Sequence, residues 1–176
     1  KLMKIKENSI NKYLILLLSV SALLRGVLAS IIEFGNDEVY YWTYAMYPDW
    51  SHFDHPPMVG FMMQLFSCNL LFTSEFFLRL SSVIFMTINT YLVFLIGKQV
   101  KNVQTGFYAA LLYTASIYAF VITGIFILPD TPLSIFAFLA VLQFVRYFQN
   151  EKNKHLILAG LFAGLAMLSK YSGVFI

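Results

Sequence analysis

Two adjacent carboxylates, Asp37 and Glu38, follow directly after a long apolar segment. A carboxylate beside a low-dielectric region has a raised proton affinity and can act as a general base near neutral pH. The alternative is structural, because acidic side chains favour the first turn of a helix. In that case the Tyr40, Tyr41 and Trp42 that follow are interface anchors, a common place for these residue types in membrane proteins. The residues alone leave both interpretations open.

A second polar cluster, His52, Asp54 and His55, lies a few residues further on. Its side chains could bind a divalent metal or contact a phosphate. The spacing matches no standard zinc pattern, so the metal is the weaker interpretation. In the structural alternative, Asp54 caps a helix whose first turn contains Pro56 and Pro57.

Three further charged residues lie in or beside apolar segments. Asp130 is the single charge between residues 105 and 145, and it could act with Asp37 or cap the helix that follows it. Arg25 and Lys170 lie inside apolar runs, where a cation is costly and needs a partner. They could face a lipid phosphate, snorkel to the surface or pair with a carboxylate.

The elements that position these residues must be membrane helices. Hydrophobic residues make up 59% of the 176 positions and charged residues only 12%, about half the charged share of a soluble domain. So large an apolar surface needs lipid as its solvent. The net charge of +3 comes from short basic clusters beside apolar runs, which is typical of membrane loops and does not form a nucleic-acid-binding face. The single cysteine excludes an internal disulfide.

The apolar pattern predicts an all-α integral membrane protein with about five transmembrane helices, since each crossing needs about 20 apolar residues. The predicted spans are residues 13–32, 78–97, two helices within 105–145 that meet in a tight turn at the prolines, and a last span from residue 155 onward. The first apolar segment could instead be a secretory signal, but Arg25 argues against that alternative. Because Ile176 lies inside an apolar run, we expect the chain to be part of a longer protein.

Charge decides the place of the short apolar segment 56–72, because Lys and Arg favour the cytoplasmic side of a membrane. If this segment lies along the outer interface, nine of the twelve basic residues fall inside and seven of the nine acidic residues outside. The predicted inner residues are Lys1, Lys4, Lys6, Lys12, Lys98, Lys101, Arg146, Lys152 and Lys154. We therefore predict a cytoplasmic N-terminus and an outer loop, residues 34–77, with one or two interfacial helices.

Four motifs in this order resemble a known family of membrane glycosyltransferases. The motifs are Asp37-Glu38-x-Tyr40-Tyr41-Trp42, Phe53-Asp54-His55-Pro56-Pro57, Leu128-Pro129-Asp130-Thr131-Pro132 and Gly164-Leu165-Ala166-Met167-Leu168-Ser169-Lys170-Tyr171. They are similar to the N-terminal half of the dolichyl-phosphate-mannose protein mannosyltransferases and their bacterial relatives, among them the aminoarabinose transferases of lipid A. The resemblance covers nearly the whole chain from Arg25 onward and implies a single domain, residues 1–176, with the GT-C fold.

The resemblance implies that the protein transfers a sugar from a polyprenyl phosphate carrier to an acceptor at the outer face of the bacterial inner membrane. It implies that Asp37 is the catalytic base and that Asp130 assists it. Arg25 and Lys170 would offset the charge that grows on the leaving phosphate. The remaining substrate-binding residues would be Glu38, Tyr41, Asp54, His55 and Tyr171. Residues 34–77 would form the outer catalytic loop.

The chain departs from the aminoarabinose transferases at one motif. They have Glu-Lys before the paired prolines, where this chain has Asp54-His55. A lysine that contacts phosphate is thus replaced by a histidine that is mostly neutral at pH 7, which does not support lipid A as the acceptor.

The alternative function is a membrane transporter or flippase subunit. A transporter places its ionisable groups near the bilayer midplane, within broken helices. Here most acidic residues lie at one predicted boundary, which favours chemistry at that surface.

Overall fold

Helices joined by loops make up the fold in the computed structural model. The structure describes residues 7–176, with side chains from residue 9 onward. No strand occurs in that range. The helices are α1 Glu7–Ile31, α2 Asn36–Met46, α3 Met58–Phe66, α4 Glu75–Val100, α5 Val103–Ala115, α6 Asp130–Asn150 and α7 Asn153–Met167. A π-helical turn, Tyr118–Ile122, follows α5, and a 3-10 turn, Tyr171–Phe175, follows α7. The predicted inner residues Lys1, Lys4 and Lys6 lie outside the described residues.

Three helices in the described part of the chain, α1, α4 and α6, are long and apolar enough to cross a bilayer. The apolar helix α7 is shorter, at 15 residues, and α5 has 13. The predicted all-α membrane class is confirmed. Helices occur at each of the five predicted positions, but α5 and α7 fall below the usual spanning length, so the number of crossings stays a prediction.

Helix α4 is the central element of the bundle, since it packs against α1, α3, α5 and α6. Small residues let α4 and α5 approach closely. A Cβ atom on Gly106 would come within 2.4 Å of the carbonyl oxygen of Phe94, so only glycine fits there. Helices α6 and α7 pack against each other as an antiparallel hairpin. Glu151, in a left-handed conformation, ends α6 and begins the short turn between the two helices.

The predicted outer loop folds into the helical pair α2 and α3. The two helices touch at Gly60, where a Cβ atom would come within 2.8 Å of the Tyr44 backbone. Helix α3 has nine residues, a length of about 14 Å, which is too short to cross a membrane. Its N-cap is Pro57, so the structural alternative in which Asp54 caps this helix was wrong.

The connection between α5 and α6 differs from the predicted tight turn. Helix α5 stops at Ala115, and an irregular segment at 123–129 follows the π-helical turn. Side chains of neighbouring helices bind the backbone of this segment. Ser82 donates to the Phe126 carbonyl at 3.1 Å, and Thr131 donates to the Thr123 carbonyl at 3.3 Å. Because these bonds satisfy buried peptide groups, an irregular segment can replace helix here.

Candidate functional site

A buried ion pair, Glu38–Arg79, lies at the end of the bundle where α1 meets α2. Glu38 is 2% exposed and Arg79 is 0% exposed. Arg79 donates two parallel hydrogen bonds, from Nε to Oε1 at 2.7 Å and from Nη2 to Oε2 at 2.5 Å. This fork geometry is the strongest arrangement for a guanidinium and a carboxylate. The pair is therefore an integral part of the folded structure.

The remaining hydrogen bonds of this pair fasten the surrounding backbone. Arg79 also donates to the carbonyls at the end of α1, those of Ala29, Ile32 and Glu33. Glu38 also accepts from the backbone N–H groups of Gly35 and Ile127, both at 3.1 Å. One ion pair thus connects α1, α2, α4 and the 123–129 segment, and it fixes the first turn of α2.

Asp37 stands on that first turn, beside the buried pair but exposed. Its carboxylate has no hydrogen-bond or ion-pair partner within residues 7–176. It lines a pocket of about 390 Å³ together with Glu38, Phe126 and Leu128. An unpaired carboxylate at a pocket wall is free to accept a proton from a bound molecule.

Asp130 has both oxygens engaged. Lys170 forms an ion pair with Oδ2 at 2.7 Å, and the Tyr118 hydroxyl donates to Oδ1 at 2.8 Å. The N-cap of α6 is Pro129 and Asp130 is the first helical residue, so the capping alternative was wrong. The carboxylate instead connects the start of α6 with the π-helical turn and with the segment after α7.

The hydroxyl of Tyr41 is influenced by the charges of three acidic residues. Burial raises the pKa of its hydroxyl to about 12, and the charges of Asp54, Asp37 and Asp130 add to this effect. All three carboxylates are therefore within electrostatic reach of one hydroxyl. Asp130 is not among the residues that line the Asp37 pocket, so the expectation that Asp130 acts together with Asp37 stays a prediction.

Asp54 is held by two phenols of α2, the exposed Tyr40 and the buried Tyr44. Tyr40 donates to its Oδ1 at 2.9 Å, and Tyr44 donates to the same oxygen. Partial burial of the carboxylate opposes its ionisation, but the hydrogen bonds from Tyr44 and Tyr40 and the charge of His55 hold the pKa of Asp54 below its usual range. Asp54 is thus a fixed negative charge that ties the 47–57 loop to α2.

The two histidines of the loop pack against tyrosines of α2. His52 stacks on Tyr44 with ring centroids 3.7 Å apart, and the centroid of His55 lies 5.7 Å from that of Tyr41. In the described range, His52 Nε2 and His55 Nδ1 are buried without hydrogen-bond partners, so neither of these two atoms is open to a bound molecule in this arrangement of the loop. Residues 7–176 contain no group of three or more His, Cys, Asp or Glu side chains placed to hold a metal.

The other predicted binding residues lie in different surroundings. Arg25 is fully buried within α1, with its guanidinium 4.9 Å from the centre of the Phe120 ring. It neither reaches the surface nor pairs with a carboxylate of the described chain. Tyr171 is exposed on the 3-10 turn beside Lys170.

The prediction from sequence missed Arg79, although this residue holds Glu38 and the end of α1 in place. It lies one position inside the predicted span 78–97, where a cation needs a partner just as Arg25 does. That position is the signal that could have identified it. Its partner could not be identified in the same way, because Glu38 is 41 positions away and several other acidic residues stand in the same loop.

Comparison with known proteins identifies the family. The model of the dolichyl-phosphate-mannose-protein mannosyltransferase family matches residues 54–176. The match includes Asp54, Asp130 and Lys170 but begins after Asp37 and Glu38. Comparison with curated proteins and with solved structures gave no match. Since the family model covers more than half of the chain, the chain belongs to the dolichyl-phosphate-mannose-protein mannosyltransferase family and is a membrane glycosyltransferase of the GT-C type.

Proposed function

We propose that the protein transfers a sugar from a polyprenyl phosphate carrier to an acceptor hydroxyl at the outer face of the bacterial plasma membrane. The acceptor oxygen attacks the anomeric carbon, and the bond between that carbon and the phosphate oxygen breaks. The acceptor proton passes to Asp37, and the polyprenyl phosphate leaves with the electron pair of the broken bond. The configuration at the anomeric carbon inverts in this single displacement.

One observation carries the proposal: Asp37 is free, while the other carboxylates around Tyr41 are engaged. Asp54 accepts two phenolic hydrogen bonds, and Asp130 is bound by Lys170 and Tyr118. A base must have an open lone pair within reach of the proton that it takes. Asp37 meets this condition at the wall of a pocket.

The engaged acids support other roles. All the hydrogen bonds of Glu38 go to the protein, so we assign it the positioning of Asp37 on the first turn of α2. Asp130 would hold the Lys170 ammonium in place, and this cation would offset charge on the leaving phosphate. Asp130 would then assist catalysis through Lys170.

The remaining predicted residues would contact substrate. Tyr41, His55 and Tyr171 carry polar groups suited to hydroxyl or phosphate oxygens. Asp54 would act mainly by fixing the loop that contains His55. Arg25 would meet the carrier phosphate from within the membrane.

The reaction class is tested with purified protein in lipid nanodiscs. The donors are a polyprenyl phosphate sugar and, in a parallel reaction, the same sugar on a nucleoside diphosphate. We expect release of free polyprenyl phosphate that depends on acceptor, and no turnover of the nucleotide sugar. Transfer from the nucleotide sugar at a similar rate would overturn the assignment of the donor.

A further inference from the structure

Cations gather at the end of the bundle that lies opposite the candidate site. They form a basic surface of five residues, Lys98 and Lys101 at the end of α4 and Arg146, Lys152 and Lys154 around the turn between α6 and α7. None of the five has an ion-pair partner within residues 7–176, where both ion pairs lie at the other end. The acidic residue of this turn, Glu151, is exposed and forms no ion pair with the described chain. The basic surface therefore carries an excess of positive charge that the described residues do not balance.

Three of these cations act on one side chain at the start of α7. The charges of Lys154, Arg146 and Lys152 all influence the His155 ring, which places them in one group. The ring Nδ1 lies 2.8 Å from Gln143 Oε1, and this contact fixes the start of α7 against α6. A phosphate bound here meets three positive charges, and a guanidinium can bind two of its oxygens at once.

A hydrogen bond between α6 and α4 brings the second group of cations beside the first. Gln149 Nε2 donates to the Gln99 carbonyl at 2.8 Å, so the ends of the two helices touch. Lys98 and Lys101 lie within two positions of Gln99. Packed helices have axes about 8 to 10 Å apart, so the two groups lie side by side. The basic surface is thus divided into a group of three cations and a group of two.

Apolar side chains border the basic surface. Val100 on α4, Phe148 on α6 and Ile157 on α7 are 66%, 78% and 72% exposed. Since these helices belong to a membrane protein, such side chains are available to the acyl chains of lipids. Cations between the ends of membrane helices are a known type of site for phospholipid headgroups. A lipid uses both the charges and the apolar border, whereas a soluble anion uses the charges alone.

We propose that the basic surface binds a phospholipid with two phosphates joined by a glycerol, of the cardiolipin class. One phosphate contacts the group at the α6–α7 turn, and the other contacts Lys98 and Lys101. A lipid with one phosphate reaches a single group, so the pairing of the groups selects the double headgroup. The bound lipid holds α4, α6 and α7 together. The site is at the other end of the bundle from Asp37 and needs no catalytic step, so it goes beyond the proposed function.

The headgroup preference is tested by equilibrium binding of radiolabelled lipids to the detergent-solubilised protein. We expect cardiolipin to bind at least about tenfold more tightly than phosphatidylglycerol, and phosphatidylcholine to bind more weakly than either. Added salt should weaken the binding of cardiolipin, because the contact is between charges. Equal affinities for cardiolipin and phosphatidylglycerol would overturn the two-phosphate arrangement. Equal affinity for phosphatidylcholine would overturn the charged site as a whole.

Single substitutions test whether these cations, and not net charge, attract the lipid. Arg146→Gln and the exposed Lys154→Gln should each weaken cardiolipin binding about fivefold or more. Lys12→Gln removes the same charge from an exposed position on α1, a helix that packs mainly against α4 and α5, and should change the affinity by less than about twofold. Equal losses in all three variants would show that the lipid responds to net charge alone and would contradict the site.

A substitution without a charge change tests the pairing of the two groups. Gln149→Ala removes the hydrogen bond to the Gln99 carbonyl, so the groups are no longer held side by side. We expect cardiolipin affinity to fall about threefold and phosphatidylglycerol affinity to stay the same. Asn150→Ala, at the next exposed position, should change neither. An unchanged preference for cardiolipin in Gln149→Ala would contradict the pairing of the groups.

Discussion

At the scale of single residues, three aspartates differ in the hydrogen-bond partners of their carboxylates, and this difference indicates different roles. Asp54 and Asp130 each accept hydrogen bonds from fixed donors, whereas Asp37 accepts none from residues 7–176. An acid whose lone pairs are engaged holds a loop or a cation in place, and an acid with open lone pairs can take a proton. Position on the helix surface is therefore as important as residue type.

The phenol–carboxylate contact in the outer loop predicts an acid-sensitive loop. Because the pKa of Asp54 is below its ordinary value in the fold, its hydrogen bonds stabilise the loop above the pKa of the unfolded state and are lost as the pH falls through the pKa of the folded state. In a Trp42→Phe variant, Trp50 is the remaining tryptophan and reports on this loop. We expect its fluorescence to change with a midpoint below the ordinary pKa of an aspartate, and we expect Tyr44→Phe to raise that midpoint.

A matched variant controls for the loss of a phenol alone. Tyr47 is 75% exposed and three residues from Tyr44, so Tyr47→Phe should leave the midpoint unchanged. Equal midpoints in the Tyr44→Phe and unsubstituted proteins would show that this hydrogen bond does not govern the loop.

At the scale of elements, long apolar runs were predicted well and irregular segments were not. Helices α1 and α4 lie where the pattern predicts them, since a continuous apolar segment of that length has few other structures in lipid. The 123–129 segment is also largely apolar, yet it forms irregular turns. Its conformation depends on side chains that reach it from α2 and α4, namely Glu38 and Ser82. Local sequence cannot reveal such contacts.

The Glu38–Arg79 pair is predicted to be essential for stability as well as for the site. Glu38→Gln keeps the side-chain size but leaves Arg79 buried without its counter-charge. Removing one partner of a buried pair costs about 3–5 kcal/mol. We therefore expect a clear fall in the melting temperature of the detergent-solubilised protein, measured by far-ultraviolet circular dichroism.

Two comparisons isolate the buried charge as the cause. Asp49 is exposed, so Asp49→Asn should change the free energy of unfolding by less than about 0.5 kcal/mol. The double variant Glu38→Met with Arg79→Met should recover part of the lost stability, since it removes both charges. A Glu38→Gln melting temperature equal to that of Asp49→Asn would rule out the pair as a main support of the fold.

At the scale of the whole molecule, the acids gather at one end of the bundle. Asp37, Asp54 and Asp130 all act on Tyr41, while Lys98 and Lys101 lie at the opposite end of α4. This separation of charge follows the expected distribution across a membrane, with basic residues on the cytoplasmic side.

The topology can be tested with an impermeant thiol reagent on intact cells. In a Cys68→Ser background, which removes the single cysteine, we expect labelling of Asp49→Cys and none of Lys101→Cys until the cells are opened. Lys154→Cys should behave like Lys101→Cys. Labelling at position 101 from outside would reverse the predicted orientation.

The central claim, that Asp37 is the base of a glycosyl transfer from a polyprenyl phosphate carrier, is tested most directly by turnover and donor binding in Asp37→Asn. The substitution keeps the shape of the side chain and removes its ability to take a proton. We predict that turnover falls by about 10² to 10⁴ while the dissociation constant of the donor, measured on the same preparation, stays within about twofold. Near-normal turnover in this variant would contradict the account.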